Sequence, residues 1–313
     1  MSTYSSNAYE FTGKKILVTG GSGFLGSHLC CALCRRHAEV HAVSRQPQST
    51  NHHLLRWWQG DLSDIKLARQ IIKAVQPNVI FHLTSFGVGA PDLEYVLPTF
   101  QNDLATTVNM LTLATENNVK RLILAASLEE PQLGSPQMIA SSPYAVAKWA
   151  GSAYAKMFHL LYQTPMVMVR PYMTYGPGQP SHKLIPQVIL SLLKGEVPKL
   201  SSGRRSVDWV FVDDVIEGFL AAAHASDIFG QTIDLGSGDL ITIREVVEMI
   251  VRLSGVTIQP HFGALPDRPQ EKIRVADTGA ALEKLDWHAA TSLESGLKQT
   301  VEWYREHLRV TGE

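Results

Sequence analysis

This 313-residue chain is short of charge, of cysteine and of long apolar runs, and each shortage removes a class of function. Charged residues make up 18% and nearly cancel, 28 Lys and Arg against 29 Asp and Glu, for a formal net charge of -1. That balance offers nothing to a nucleic acid or to an anionic membrane surface. No apolar run approaches the roughly 18 residues that span a bilayer, so no membrane segment is expected. The polar stretch Met1–Glu10 lacks the basic-then-apolar order of a secretion signal, which points to a cytoplasmic location.

Only three cysteines occur, Cys30, Cys31 and Cys34. Cys31-Ala32-Leu33-Cys34 has the C-x-x-C spacing of a redox pair, yet it lies inside a helical pattern where small apolar side chains pack, and packing is the expected role. The 12 histidines are scattered without metal-ligand spacing, so no metal is expected.

Against these shortages stand 45% hydrophobic residues, ample for one large α/β domain and a smaller lobe. Strand-like runs at 15–19, 39–43, 79–83, 121–126 and 166–170 alternate with helical stretches near 24–36, 64–75, 99–117 and 144–163. Alternation of this kind builds a parallel sheet with helices on both faces. Beyond Arg170, Pro171, Gly176, Pro177, Gly178 and Pro180 mark a loop leaving the sheet. A helix near 183–194 follows, then a strand at 207–212 and a helix whose N-terminus Asp213 and Asp214 are placed to cap. A strand at 231–235, a capping box at Thr242–Glu245 and a final helix near 292–309 complete the pattern. The expected fold class is therefore α/β, a Rossmann-type doubly wound parallel sheet with a smaller C-terminal α/β substrate lobe. Residues 1–170 are expected to bind dinucleotide, with roughly 208–238 returning to that domain, and 171–313 mainly to bind substrate.

The most informative stretch is Lys15-Ile16-Leu17-Val18-Thr19-Gly20-Gly21-Ser22-Gly23-Phe24-Leu25-Gly26. An apolar strand lands on glycines at 20, 23 and 26 and passes into a helix. Such glycines let the backbone approach a pyrophosphate closely, and the helix N-terminus supplies unpaired N–H groups and a positive dipole end. An ordinary strand-to-helix turn needs one or two glycines, not three at this spacing.

A second signal is Tyr144-Ala145-Val146-Ala147-Lys148. At i and i+4 on a helix, phenol and ammonium share a face. A nearby ammonium favours phenolate, so Lys148 is expected to bring Tyr144 into range for acid–base work. Leu122–Ser127 is a buried strand ending on a hydroxyl, at the end of a parallel strand where ligands bind in open α/β sheets. Ser142-Pro143 sets the start of the Tyr144 helix.

Taken together, the glycine turn, Ser127, Ser-Pro-Tyr-x-x-x-Lys and Arg-Pro-Tyr-x-x-Tyr-Gly-Pro-Gly at 170–178 resemble the extended short-chain dehydrogenase/reductase family. The match is strongest to its NAD(P)-dependent nucleotide-sugar epimerase, dehydratase and reductase group. The likeness runs from about Lys14 to Trp303 and includes Asp61-Leu62, His82-Leu83-Thr84, Val212–Val215 and Leu285-Asp286-Trp287. By this resemblance Ser127 polarises the reacting oxygen, Tyr144 is the general acid/base and Lys148 tunes it. Gly20, Gly23, Phe24, Leu25, Gly26, Asp61, Leu62, Leu83, Thr84, Tyr144, Lys148 and Pro171 take the cofactor. Phe86, Met173, Arg205 and Arg268 face the substrate, a nucleotide-linked sugar, and a homodimer through the Tyr144 helix is implied.

Departures from the family pattern choose among reactions. NAD-preferring relatives carry an Asp at the end of strand two, where this chain has Ser44-Arg45. Ser44 cannot accept from both ribose hydroxyls, and Arg45 suits a 2′-phosphate, so NADP is expected in preference to NAD. NADPH fits net reduction of a 4-keto-6-deoxy sugar. A 4-epimerase with retained NAD and a 4,6-dehydratase are the alternatives, the latter because Glu129 holds the second place of the family's acidic pair while Leu128 replaces the first. Glu129 and Glu130 read equally as solvated loop charges. A cofactor-sensing protein without turnover fits poorly with Ser127, Tyr144 and Lys148 all present. Met173 stands where relatives carry Asn, and Val207 where they carry a diphosphate-gripping Arg. Arg204 and Arg205 lie close enough to replace it, and Arg268 keeps a second such position.

Overall fold

The computed structural model describes residues 9–50, 52–131, 140–267 and 273–311. The chain enters through β1 (Lys15–Thr19), α1 (Phe24–Arg35), β2 (Glu39–Ser44), β3 (Leu55–Gln59), α2 (Ile65–Val75) and β4 (Val79–His82). A short helix α3 (Val96–Thr99) runs through a π-helical turn, Phe100–Ala105, into α4 (Thr106–Glu116). Next come β5 (Arg121–Ala125), α5 (Pro143–Tyr162) and β6 (Met166–Pro171). The second half holds β7 (Met173–Tyr175), α6 (Leu184–Leu193), β8 (Lys199–Leu200), β9 (Ser206–Phe211), α7 (Val212–His224), β10 (Thr232–Leu235) and β11 (Leu240–Thr242). It ends with α8 (Ile243–Ser254), β12 (His261–Phe262), α9 (Thr278–Leu285) and α10 (Leu293–Thr311).

Seven strands form one parallel sheet in the order β10-β6-β5-β4-β1-β2-β3. Helices cover both faces, so the central strands read as continuous apolar runs instead of alternating ones: Ile16, Leu17, Val18, Leu122 and Ile123 are fully buried. The order reverses between β1 and its neighbours β2 and β4. Open α/β sheets bind ligands at such a reversal, outside the strands' C-terminal ends. The expected fold class is what the structure has.

Of the segment near 208–238, β10 adds to the seven-stranded sheet and α7 packs on α1, β5 and β6. β9 instead pairs with β7 and β11 in a separate three-stranded sheet, and β8 with β12 in a two-stranded one. Two buried carboxylates join these parts. Asp208, 1% exposed, accepts from Ser237 N (2.7 Å), Ser237 Oγ (2.8 Å), Gly238 N (3.1 Å) and Ala276 N (3.0 Å). Both carboxylate oxygens of Glu217 on α7 accept from the single nitrogen Nη2 of Arg36, which caps α1, at 2.6 and 2.9 Å.

Several local expectations need correction. The strand β3 was not foreseen, because Leu-Arg-Trp-Trp-Gln sits half-exposed at the sheet edge and carries no clean alternation. The helix expected from 99 starts at Val96 and is interrupted by the π turn. Asp213 and Asp214 do not cap α7, whose N-cap is Phe211 with no side-chain bond. Asp214 is buried and accepts instead from Thr291 N and Oγ1, both at 3.0 Å, tying the approach to α10 onto α7. The Thr242 capping box on α8 forms with both of its bonds. Cys30 and Cys34 are buried and Cys31 exposed, with no disulfide between them. Among the described residues no helix is long and apolar enough to cross a membrane, and no cluster of His, Cys, Asp and Glu is arranged to hold a metal.

Candidate dinucleotide and acid–base site

The turn after β1 is closed by contacts that only glycine permits. Gly20 has φ +68°, and a Cβ there would lie 2.9 Å from Thr84 N. A Cβ on Gly26 would sit 2.1 Å from the Gly20 carbonyl oxygen, so α1 can start this close to β1 only because both side chains are missing. The N-cap of α1 is Gly23, no side chain caps it, and its first turn carries no acidic residue. Its N–H groups and dipole therefore remain available to an anion.

A cleft of about 220 Å³ opens here across the ends of β1, β2 and β4. Eight of the expected cofactor residues line it, Gly20, Gly23, Ser44, Arg45, Asp61, Leu62, Leu83 and Thr84, and Ser22 of the turn, which no expectation included, lines it with them. Ser22 Oγ bonds Ser44 Oγ (3.1 Å), and Arg45 Nη1 donates to Asn102 Oδ1 (2.7 Å), so the end of β2 is fastened to the π turn. Asp61 is exposed and accepts from Ser63 N at 2.8 Å. Phe24, Leu25 and Gly26 form the first turn of α1 directly after Gly23, and Pro171 ends β6 beside Leu235 of β10; none of the four lines the cleft. A glycine cradle, an uncapped helix end and a cleft along two strand ends fit a dinucleotide.

The second group lies at the end of β5 and the start of α5. Ser142 caps α5 by accepting from Ala145 N (3.2 Å), and Pro143 occupies the first turn, which fixes where Tyr144 emerges. The Tyr144 hydroxyl bonds the Ser127 side chain. Lys148 Nζ lies 6.0 Å from the Tyr144 ring centre and donates to the Ala125 carbonyl at 3.0 Å. Ser127, Tyr144 and Lys148 thus meet as expected, but their electrostatics differ from expectation. Burial pushes the Tyr144 phenol well above its ordinary value, the Ser127 bond opposes this, and the charges of Glu129, Asp103 and Glu130 raise it further. Without ligand, the phenol holds its proton.

Glu130 is no solvated charge. It is 5% exposed, and its Oε1 accepts from Ser127 N at 2.8 Å, with burial pushing its carboxyl up. Glu129 is half-buried, donates its N–H to Ser127 Oγ (3.1 Å) and lays its carboxylate against Gly89.

A relay through His82 has no signature in the sequence. Thr107 Oγ1 donates to Asp103 O (2.6 Å), so it accepts from His82 Nε2–H (3.1 Å). Thr19 Oγ1 then donates to His82 Nδ1 (2.8 Å) and accepts the Leu83 and Thr84 N–H groups. This directional chain ties β1, β4 and α4 through a neutral imidazole. Burial, then the Lys148 charge, push His82 down to about 3. Its folded value lies below the unfolded one, near 6.5, so its contribution to stability is complete above pH 6.5. That contribution is lost as pH falls toward 3, by up to about 1.4 kcal/mol per pH unit. Urea unfolding at pH 7 and pH 5 should show this slope, and His82→Asn should flatten it by about one proton per molecule.

The expected substrate residues are not gathered as the cofactor residues are. Phe86 is half-buried, gives its N–H to Asp103 and tilts its ring against Tyr95, 6.0 Å between centres. Met173 begins β7 opposite Trp209 of β9. Arg205 precedes β9 with a half-buried side chain, and its carbonyl accepts from Ile243 N. Arg268 lies outside the described residues.

The chain belongs to the NAD dependent epimerase/dehydratase family, whose model matches residues 16–236. It is thereby an enzyme of the extended short-chain dehydrogenase/reductase type. A mouse dTDP-D-glucose 4,6-dehydratase is 24% identical over 94% of this chain and 89% of its own length. A trifunctional UDP-glucose 4,6-dehydratase/UDP-4-keto-6-deoxy-D-glucose 3,5-epimerase/UDP-4-keto-L-rhamnose-reductase of Arabidopsis thaliana is also 24% identical, over 95% of this chain. The chain spans about half of that plant protein, 48% of its length. Among solved structures, the UDP-glucose 4-epimerase of Thermotoga maritima, determined with UDP-glucose, superposes with a TM-score of 0.85. It is 24% identical, covering 94% of this chain and 99% of that one, and shares the fold.

Proposed function

We propose that this enzyme reduces the keto group of a nucleotide-linked 4-keto-6-deoxy sugar, with NADPH as the reductant. The observation that carries the reading is the Tyr144 phenol, bonded to Ser127 at the end of β5 and kept protonated by burial and by three carboxylates. A reduction needs a proton donor at the oxygen that becomes a hydroxyl. Held by the glycine turn and the end of β2, NADPH would supply the hydride for the keto carbon. Tyr144 donates its proton to the keto oxygen, Ser127 holds that oxygen by a hydrogen bond, and Lys148 carries the compensating positive charge beside the phenol. The nucleotide-sugar names of the relatives support the substrate class. In this reading residues 1–170 with β10 hold the dinucleotide, and 171–313 mainly the sugar nucleotide.

Glu129 favours one second reading, 4,6-dehydration, because a half-buried carboxylate beside Ser127 and Tyr144 suits proton abstraction next to a ketone. One assay separates the two. The purified chain is given NADPH with nucleotide-linked 4-keto-6-deoxy sugars, and separately NAD with the parent nucleotide sugars. Stoichiometric NADPH consumption supports reduction. Formation of a keto product with no net change in dinucleotide overturns it in favour of dehydration, and interconverted hydroxyl epimers would indicate a 4-epimerase.

For the cofactor, Arg45 lines the cleft with one N–H engaged by Asn102 and four further N–H donors on its guanidinium. That geometry supports recognition of a 2′-phosphate. Arg45→Ala should raise the dissociation constant of NADP(H) by about tenfold or more while that of NAD(H) stays within a few-fold, a difference read by calorimetric titration. Equal effects on both would remove the preference.

We also place the enzyme in the cytoplasm as a homodimer packed on α5, which leaves Val146, Tyr154 and Leu161 exposed on the single chain. A monomer in sedimentation equilibrium would exclude that assembly.

A further inference from the structure

In the reading above Asp103 is only one of three charges acting on Tyr144, and its surroundings set it apart. It sits on the π turn between α3 and α4 and is 1% exposed. Such turns inside helices are frequent at functional sites. Oδ1 accepts the Phe86 N–H at 3.0 Å, and the Ser85 hydroxyl also bonds the carboxylate. Oδ2 is buried with no hydrogen-bond partner among the described residues. An oxygen stripped of water in this way opposes ionisation, and burial does push the carboxyl up. The strongest influence holding it ionised is the Lys148 ammonium, followed by Ser85, the Phe86 N–H and Arg45.

Lys148 is in the converse position. It is 7% exposed on α5 and gives a hydrogen bond to a neutral carbonyl, that of Ala125. From the loop after β5, Glu129 and Glu130 act on Tyr144; Glu130, whose Oε1 is engaged by Ser127 N, also feels the Lys148 charge, though less than that of Arg170, and His82 on β4 is neutral. Ser85, Asn102 and Thr106 line the dinucleotide cleft around Asp103, so its carboxylate stands directly behind the wall. The two forms of a nicotinamide dinucleotide differ there by one charge: the oxidised ring is a cation and the reduced ring is neutral. A buried ammonium without a counter-charge disfavours the cation selectively.

We propose that the Asp103 carboxylate, with its unpartnered Oδ2, is a buried counter-charge of Lys148, and that this balance sets how tightly the cleft holds oxidised relative to reduced dinucleotide. Asp103 is in this sense a positioning residue, acting through Lys148 and not on the sugar. The proposal rests on the dinucleotide assignment and is independent of which nucleotide sugar is turned over.

Asp103→Asn keeps the size of the side chain and an acceptor for Phe86 N–H while removing the charge. Equilibrium binding of NADP and of NADPH to the full chain and to the variant gives the ratio of their dissociation constants. The variant should weaken NADP roughly fivefold or more relative to NADPH, and Asp103→Glu should move the ratio back toward the native value. Weakening of both forms by one factor, or an unchanged ratio, overturns the proposal and leaves Asp103 a structural residue. If the native chain binds neither form, nor NAD or NADH, the cofactor reading itself fails. Thermal unfolding of each variant is followed in parallel, and should the Asn variant not fold, Asp103→Ser supplies the same ratio.

Discussion

Tyr144→Phe should lower turnover by about 10²- to 10⁴-fold while dinucleotide affinity stays within a few-fold of native. The substitution removes one oxygen and its proton and leaves the ring packed at the start of α5. What is lost is the proton donor and its bond to Ser127. The glycine turn, the α1 N-terminus and the β2 end, which line the cleft, are untouched. Steady-state rates and equilibrium binding measured on one preparation separate the two roles. A near-native rate would remove Tyr144 from the chemistry. A loss of affinity as large as the loss of rate would make it a binding residue.

Asp208→Ala should be the most damaging single change to stability away from that chemistry. Its carboxylate accepts four hydrogen bonds, three from backbone N–H groups on the turn after β10 and on the segment before α9. Alanine leaves those donors without a partner in a place where water is scarce, since Ala276 is 8% exposed. Each stranded donor costs about 1–3 kcal/mol, so a total of about 3–5 kcal/mol and a fall in Tm of roughly 10 °C are expected. Asp208→Asn, able to accept through only one of its two terminal atoms, should recover part of this. Differential scanning calorimetry of the three proteins tests the ranking, and an unchanged Tm in the alanine variant would mean that the turn is held by other contacts.

The seven-stranded sheet was legible because its signals are local: buried apolar runs, glycines at fixed spacing, Ser142-Pro143 at a helix start. The same holds for the meeting of Ser127, Tyr144 and Lys148, two of which share a helix face. What escaped depends on partners far along the chain. Glu130 looks like a surface charge until Ser127 N is found 2.8 Å away. Asp103 reads as one polar position in a helix, because nothing in its neighbourhood announces a π turn or an ammonium 45 residues later. The only trace was a cluster of polar residues, Asn102, Asp103, Thr106 and Thr107, on what proves to be a buried face. The direction of the Tyr144 shift was missed for the same reason. Lys148 is visible from i,i+4 spacing, whereas burial and the carboxylates of the β5 loop and the π turn appear only in three dimensions.

The position of β10 has a consequence for how the protein is made. β6 is complete at Pro171, but the strand that covers its outer edge begins at Thr232, about 60 residues later. At roughly 5–20 residues per second, the ribosome leaves that edge open for about 3–12 s. For that interval the nascent chain presents the unpaired N–H and C=O groups of Met166-Val167-Met168-Val169, an apolar strand, to any other chain within reach. A transcript truncated between these two points would release a six-stranded sheet with a permanently sticky margin, so a message broken between codons 171 and 232 converts directly into an aggregation hazard.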